Sequence, residues 1–313
     1  MTVTNITQSA STILMVRPAN FGFNEQTAES NAFQSIDSEH SEQEVSKLAI
    51  KEFDGFVTKL RDHAINVVVH EEEYHPDRTD SVFPNNWISF HENGQVIIYP
   101  MESPNRRLEK DTKVLDLLGS NFEINTVRDL SKFESKNQFL EGTGSIIFDY
   151  IHCKGYACIS TRTDEALFDE VCSSLGYKAV LFEASDLDGI PIYHTNVMMA
   201  LGTGYVVICM DSVKDEVQKK KLVDTFAADG LEIIDIDFDQ LANFAGNMLE
   251  VRNAKDQLHL VMSKSAYDAM RKEQIDQIEK YAKPLWVDIS TIENIGGGSA
   301  RCMMAAVHLP NKS

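Results

Sequence analysis

The sequence predicts an α/β fold built from five hairpin–helix–strand units that close into a ring. Three observations lead there. Short apolar strands and amphipathic helical stripes alternate along all 313 residues. The alternation recurs about every fifty residues, within the period range of repeat architectures. A spare apolar run at 302–307 follows the fifth unit and can pair with the first strand, leaving every sheet edge short or covered. An open α/β sheet in two domains would not need such spacing, and no segment has linker composition. Residues 1–313 are therefore expected to form a single domain, with 1–12 flexible.

The first unit opens with a strand at 13–17. Ser41 and Glu44 have capping-box spacing, and Val45, Leu48, Ala49, Phe53, Phe56, Val57 and Leu60 form an apolar stripe, so a helix starts near Ser41 and a strand at 65–69 follows. In the second unit, strands at 87–90 and 96–99 flank Glu92-Asn93-Gly94, and a helix carrying Leu108, Val114, Leu115 and Leu118 stops at Gly119. The third has strands at 145–148 and 156–160, a helix with Leu167, Val171 and Leu175 ending before Gly176, and a strand at 179–182. In the fourth, strands at 197–201 and 205–210 enclose Gly202-Thr203-Gly204, then come a helix with Val217, Leu222, Val223 and Phe226 and a strand at 231–236. The fifth has strands at 248–251 and 258–262, a helix through Met270, Ile275 and Ile278, and a strand at 285–287. The polar stretch 23–40 reads as a long loop.

Composition narrows the function. With 48 acidic against 29 basic residues the net charge is -19, spread along the chain, which disfavours phosphate-backbone binding and excludes nucleic acid as an expected partner. The five cysteines, Cys153, Cys158, Cys172, Cys209 and Cys302, are odd in number and lack framework spacing, as expected of reduced thiols in a cytoplasmic protein. The N-terminal residues lack signal-peptide character and no apolar run approaches ~20 residues, so no membrane partner is expected. A homo-oligomer is compatible with this composition.

Three segments carry chemistry when taken together: Glu141-Gly142-Thr143-Gly144-Ser145, Tyr193-His194-Thr195-Asn196, and Gly296-Gly297-Gly298 leading to Cys302. Alone, each has a bland explanation as turn, strand-end histidine or core thiol. An acid, a histidine and a late cysteine at the edges of apolar strands can form a nucleophilic site. Neither Gly-Thr-Gly segment has the Lys-Ser/Thr ending of a phosphate loop, and Cys153 and Cys158 lack a second Cys/His pair at zinc spacing. No metal or organic cofactor is expected.

These motifs, with Asp80-Ser81-Val82-Phe83-Pro84-Asn85-Asn86, Ser103-Pro104-Asn105-Arg106-Arg107 and Ser160-Thr161-Arg162-Thr163, resemble those of the guanidino-group-modifying enzymes, or penteins. That group includes arginine deiminases, dimethylarginine hydrolases and amidinotransferases. The resemblance covers nearly the whole chain and implies a five-fold pseudosymmetric α/β propeller with the active site on its axis. It implies Cys302 as nucleophile, His194 as acid and base, and Glu141 either orienting His194 or contacting substrate nitrogens. It also implies Asp80 at the α-amino group of an amino-acid substrate, Phe83 along the aliphatic stem, and Arg106, Arg107 and Arg162 as candidates for the α-carboxylate, with Arg17 a weaker one.

The sequence departs from arginine-acting relatives at two places, where carboxylates are replaced by Asn86, beside Asn85, and by Asn196. Two carboxylates facing a neutral ureido group would be buried charges without a counter-ion, whereas amides both donate and accept. The pattern resembles the citrulline-hydrolysing subgroup and implies hydrolysis of the ureido C–N bond to ornithine, ammonia and carbon dioxide. Deimination or amidino transfer on arginine or another guanidino compound is the alternative. A non-catalytic binding protein of the same fold is a third reading, against which the retained Glu141, His194 and Cys302 argue.

Overall fold

The computed structural model describes residues 7–28, 31 and 33–312, which form a mixed α/β fold. Its strands are β1 (Thr12–Arg17), β2 (Asn66–Glu71), β3 (Ile88–Phe90), β4 (Gln95–Ile98), β5 (Thr126–Asp129), β6 (Ile147–Asp149), β7 (Lys154–Cys158), β8 (Lys178–Phe182), β9 (Met199–Gly202), β10 (Tyr205–Ile208), β11 (Glu232–Asp235), β12 (Leu249–Arg252), β13 (Leu258–Ser263), β14 (Lys283–Val287) and β15 (Ala305–Ala306). Among the described residues they make five three-stranded sheets, β15-β1-β2, β3-β4-β5, β6-β7-β8, β9-β10-β11 and β12-β13-β14. Each has one internal plan: the central strand is antiparallel to the strand before it in this order and parallel to the one after. A tight turn makes the antiparallel pair, and a longer crossover, helical in each unit, brings the third strand back parallel. In the first sheet the hairpin partner comes from the other end of the chain, with Ile13 opposite Ala306 and Leu14 opposite Ala305.

Helix Glu42–Asp62 starts as its sequence requires, with Ser41 and Glu44 bonding reciprocally in a capping box. Its Val45, Ala49, Phe53, Phe56, Val57 and Leu60 enter a core shared with β1, β13, β14 and the segment around Cys302. Asp164 and Asp215 cap helices Glu165–Leu175 and Glu216–Ala228, and Gly176 ends the former at a φ of 75°. Among the described residues, no helix is long and apolar enough to cross a membrane.

Four expectations need correction. Residues 1–6 lie outside the described residues, but the segment from Gln8 is packed: Gln8, Ser9 and Ala10 are buried. The Gln8 amide donates to the Phe148 carbonyl at 2.8 Å and accepts from the Tyr150 amide at 3.0 Å, so it acts as an extra rung on β6. The long loop at 23–40 contains a short helix, Glu25–Ala28. The expected second-unit helix is split into a 3-10 segment, Asn105–Glu109, and a helix, Lys113–Gly119. Cys302 lies in a turn ahead of β15 rather than inside a strand.

Candidate active site

The site residues occupy turns that immediately precede the first strand of a hairpin. The 3-10 turn Pro84–Asn86 precedes β3; Glu141 caps the short helix Gly142–Ser145 before β6; His194 caps Thr195–Met198 before β9; Cys302 precedes β15. Strand ends place these side chains where neighbouring sheets meet, and burial there is nearly complete for all of them.

Glu141 Oε2 accepts from His194 Nε2 at 2.9 Å, and Oε1 accepts from the Glu102 backbone N–H at 2.9 Å. The Arg162 guanidinium lies 3.5 Å from Glu141, donates to Glu102 at 3.1 Å, and stands 5.0 Å from the Tyr193 ring centre. Burial opposes ionisation of Glu141, but the Arg162 charge and the His194 hydrogen bond outweigh it and hold its carboxyl well below the usual range. Burial pushes the His194 imidazole down to about 4, against the pull of Glu141. At neutral pH the pair is therefore a carboxylate hydrogen-bonded to a neutral imidazole. Gly144 permits this packing, since a Cβ there would lie 2.4 Å from Asn86 Nδ2 and 2.8 Å from His194 Nδ1.

Cys302 Sγ receives two amide N–H groups, from Asn196 Nδ2 at 3.4 Å and Asn247 Nδ2 at 3.3 Å. Sequence reasoning missed Asn247. One signal for it existed, because it too sits just upstream of the first strand of a hairpin, β12.

Across the cavity, Arg106 grips Glu109 with Nε and Nη2 at 3.0 Å each and donates from Nη1 to Asn86 Oδ1 at 2.9 Å. It also lies 3.8 Å from Asp80. Burial alone would weaken the Arg106 cation, but Glu109 and Asp80 outweigh it and keep it protonated. Burial raises the Asp80 carboxyl, against the Arg106 charge and an Asn24 hydrogen bond at 2.7 Å. Phe83 packs on Gly296 and Gly298, where a Cβ would lie 2.9 and 2.8 Å from its ring. Thr27, Asn31, Asp80, Phe83, Asn86 and Cys302 are among the residues lining this cavity, which measures about 20 Å³. That is room for about one water molecule.

Arg162 and Arg106 line this cavity, yet Arg106 is already committed to Glu109, which speaks against its expected grip on a substrate carboxylate. Arg107 turns away, to the Met101 and Glu102 carbonyls at 3.0 and 2.8 Å. Arg17 pairs with Asp54 at the surface, and neither Arg107 nor Arg17 lines the cavity. Asn85 is buried outside the lining, with both side-chain polar atoms lacking a partner among the described residues. Elsewhere, Asp149, His152 and Asp229 place ligand-type atoms within 4.8 Å of one another. Asp149 is bonded by His152 and Asp229 by Lys154, so this cluster supplies its own cation.

A family model described as N,N dimethylarginine dimethylhydrolase, eukaryotic, matches residues 17–309. No curated protein sequence matches the chain. Among solved structures, the substrate-bound N-terminal domain of ArgZ, an arginine dihydrolase from the ornithine-ammonia cycle in cyanobacteria, is similar with a TM-score of 0.74 at 16% identity, over 96% of this chain and 98% of that one. AgrE bound to L-arginine gives 0.72 at 17% identity, over 96% of this chain and 41% of that one. An adduct of dimethylarginine dimethylaminohydrolase with S-methyl-L-thiocitrulline gives 0.62 at 13% identity, over 95% and 99%. These likenesses concern the fold, while the family model spans nearly the whole chain. The chain belongs to the N,N dimethylarginine dimethylhydrolase family, eukaryotic type, and thereby to the guanidino-group-modifying enzymes.

Proposed function

We propose that this protein is a cysteine hydrolase that cleaves the ureido C–N bonds of citrulline, giving ornithine, ammonia and carbon dioxide. The observation that carries the reading is the orientation of two asparagine side chains. Arg106 occupies the oxygen of Asn86, so Nδ2 remains a buried donor without a partner among the described residues. Asn196, beside Cys302 but outside the cavity lining, turns its nitrogen to that sulfur, so Oδ1 remains a buried acceptor without a partner among the described residues. A donor and an acceptor complement the C=O and NH2 of a neutral ureido group. A guanidinium has only N–H groups and needs acceptors alone.

In this reading His194 takes the Cys302 thiol proton, Sγ attacks the ureido carbon, and the proton leaves with ammonia as the C–N bond breaks. This forms an S-bound thiocarbamate. Water, deprotonated by His194, then breaks the S–C bond and releases the N-carboxy amine, which loses carbon dioxide. Glu141 holds the imidazole, and Asp80, whose Oδ1 has no partner among the described residues, receives the α-ammonium group. We place these residues on the axis of a five-fold α/β propeller forming one catalytic domain. The common plan of the five sheets and the closing β15–β1 pair support this arrangement. All five cysteines are unpaired, in keeping with a cytoplasmic enzyme.

A guanidino substrate is the second reading, favoured by the family match. Incubation with L-citrulline, L-arginine, agmatine and dimethylarginine, with products identified by mass, separates the two. Ornithine and ammonia from citrulline support the ureido reading. Turnover of only the guanidino compounds overturns it.

A further inference from the structure

We propose that Asn247 is a catalytic residue. With Asn196 it forms a two-amide cradle that stabilises the Cys302 sulfur as a thiolate through N–H···S hydrogen bonds. The inference rests on the cysteine chemistry proposed above. Asn247 is buried, and every polar atom of its side chain is engaged around the nucleophile. Its Nδ2 reaches Cys302 Sγ at 3.3 Å and the Asn196 carbonyl at 2.9 Å, while Oδ1 accepts from the Arg301 backbone N–H at 3.0 Å. One amide thus ties together the turn that carries Asn196 and the turn that carries Cys302.

The backbone holds this amide in place. Phe244 adopts a left-handed φ of 61°, unusual for a residue with a large side chain, and its carbonyl accepts from the Asn247 N–H at 2.8 Å. At Gly246 a Cβ would lie 2.3 Å from the Val197 carbonyl oxygen and 2.7 Å from the Met198 carbonyl carbon. Only glycine lets the segment press this close to the turn bearing Asn196.

The same amide serves both states of the sulfur. The thiol can donate to Oδ1, 3.6 Å from Sγ, and once the proton has left, Nδ2 faces the negative charge. Hydrogen bonds to an ionised group are stronger than those to a neutral one, so the cradle favours the thiolate over the thiol. The titratable or charged groups facing the sulfur include the Arg301 and Tyr193 side chains, which interact electrostatically with it, and the His194 and Arg162 side chains in the shared cavity wall.

The test compares wild type with Asn247→Ala and Asn247→Asp. Asp keeps the shape and the acceptor for Arg301 but removes the donor and places a negative charge beside Sγ. Alkylation by iodoacetamide, a neutral electrophile, is followed at pH 7 and pH 10, with peptide mass confirming modification at Cys302. Kinetic constants are measured alongside. At pH 7 both variants are expected to alkylate at least ~10-fold more slowly, with the gap narrowing at pH 10. The kcat is expected to fall while KM changes little. Wild-type alkylation at pH 7 in Asn247→Asp, with circular dichroism showing a folded protein, would overturn the inference. If Asn247→Ala does not fold, Asn247→Asp decides alone; if neither folds, alkylation of folded Asn247→Ser, whose shorter side chain cannot span to Sγ, must be slowed or the inference fails. Because alkylation needs no substrate, absence of citrulline turnover in wild type would sink the ureido reading and leave this result standing.

Discussion

At the scale of single residues, the proposed reading of substrate charge rests on Asn86. Its oxygen is committed to Arg106, and Arg106 is oriented by Glu109, so the amide nitrogen is left as a buried donor without a partner among the described residues. Asn86→Asp replaces that donor with a carboxylate, which favours a cation. The ratio of kcat/KM for arginine to that for citrulline is expected to rise at least tenfold, the equivalent of ~1.4 kcal/mol of differential interaction. An unmoved ratio would remove Asn86 as the charge reader. Asn86 suits this test better than Asn196, whose nitrogen also touches Cys302. Cys302→Ala is expected to abolish turnover and the mass adduct seen after acid quench of wild type with substrate, without loss of folding. His194→Ala is expected to lower kcat by at least ~100-fold with binding still measurable by calorimetry. Cys302 and His194 drew attention in the sequence because a glycine run and a strand edge mark them, whereas Asn86 stood out only through the family resemblance. The commitment of Arg106 to Glu109 was hidden, since a glutamate on a short exposed-looking helix gives no sign that it will be buried.

At the scale of elements, the expected strands at 145–148 and 197–201 begin as single helical turns, Gly142–Ser145 and Thr195–Met198, before extending into β6 and β9. Residues such as Val197, Met198 and Met199 are apolar in either conformation, so periodicity over so short a run does not distinguish turn from strand. The turns matter because they aim Glu141 and His194 inward. Gly144→Ala therefore tests an element rather than a residue. The new methyl meets both the Asn86 amide and the His194 ring, and kcat is expected to fall at least tenfold while helices and strands persist by circular dichroism. Normal kcat would show that the turn can yield without disturbing the pair. The same scale explains why Asn247 was passed over: it precedes β12 as Asn86 precedes β3, but it belongs to no glycine-rich or charged motif.

For the whole molecule, acid sensitivity follows from buried imidazoles. Burial pushes His91 and His308 each down to about 3, with the charges of His91 and Arg301 adding to the effect at His308. Between the ordinary histidine value of ~6.5 and these folded-state values, the unfolded chain binds protons that the native state does not. Their contribution is thus fully present above about pH 6.5 and is lost as pH falls toward 3, with a slope of about 1.4 kcal/mol per pH unit for each group. Urea unfolding at pH 7.5, 6.5, 5.5 and 4.5 is expected to show that decline, and His308→Phe should lower its slope by about one proton's worth. An unchanged slope in the variant would show that His308 does not stay neutral in the fold.

What the sequence by itself determined is local: the alternation of strands and helices, the caps at Ser41, Asp164 and Asp215, and the motifs holding Glu141, His194 and Cys302. Each depends on residues within a few turns of one another, and short-range sterics and hydrogen bonding suffice to set them. Only the tertiary structure decided that Gln8 would lock onto β6, that Arg107 would turn to backbone carbonyls, and that Asn247 and Cys302 would share a hydrogen bond. Those outcomes follow from burial. Once apolar faces have packed, each enclosed polar group must take whatever partner the opposing segment offers, and that partner is fixed by topology rather than by neighbours in the chain.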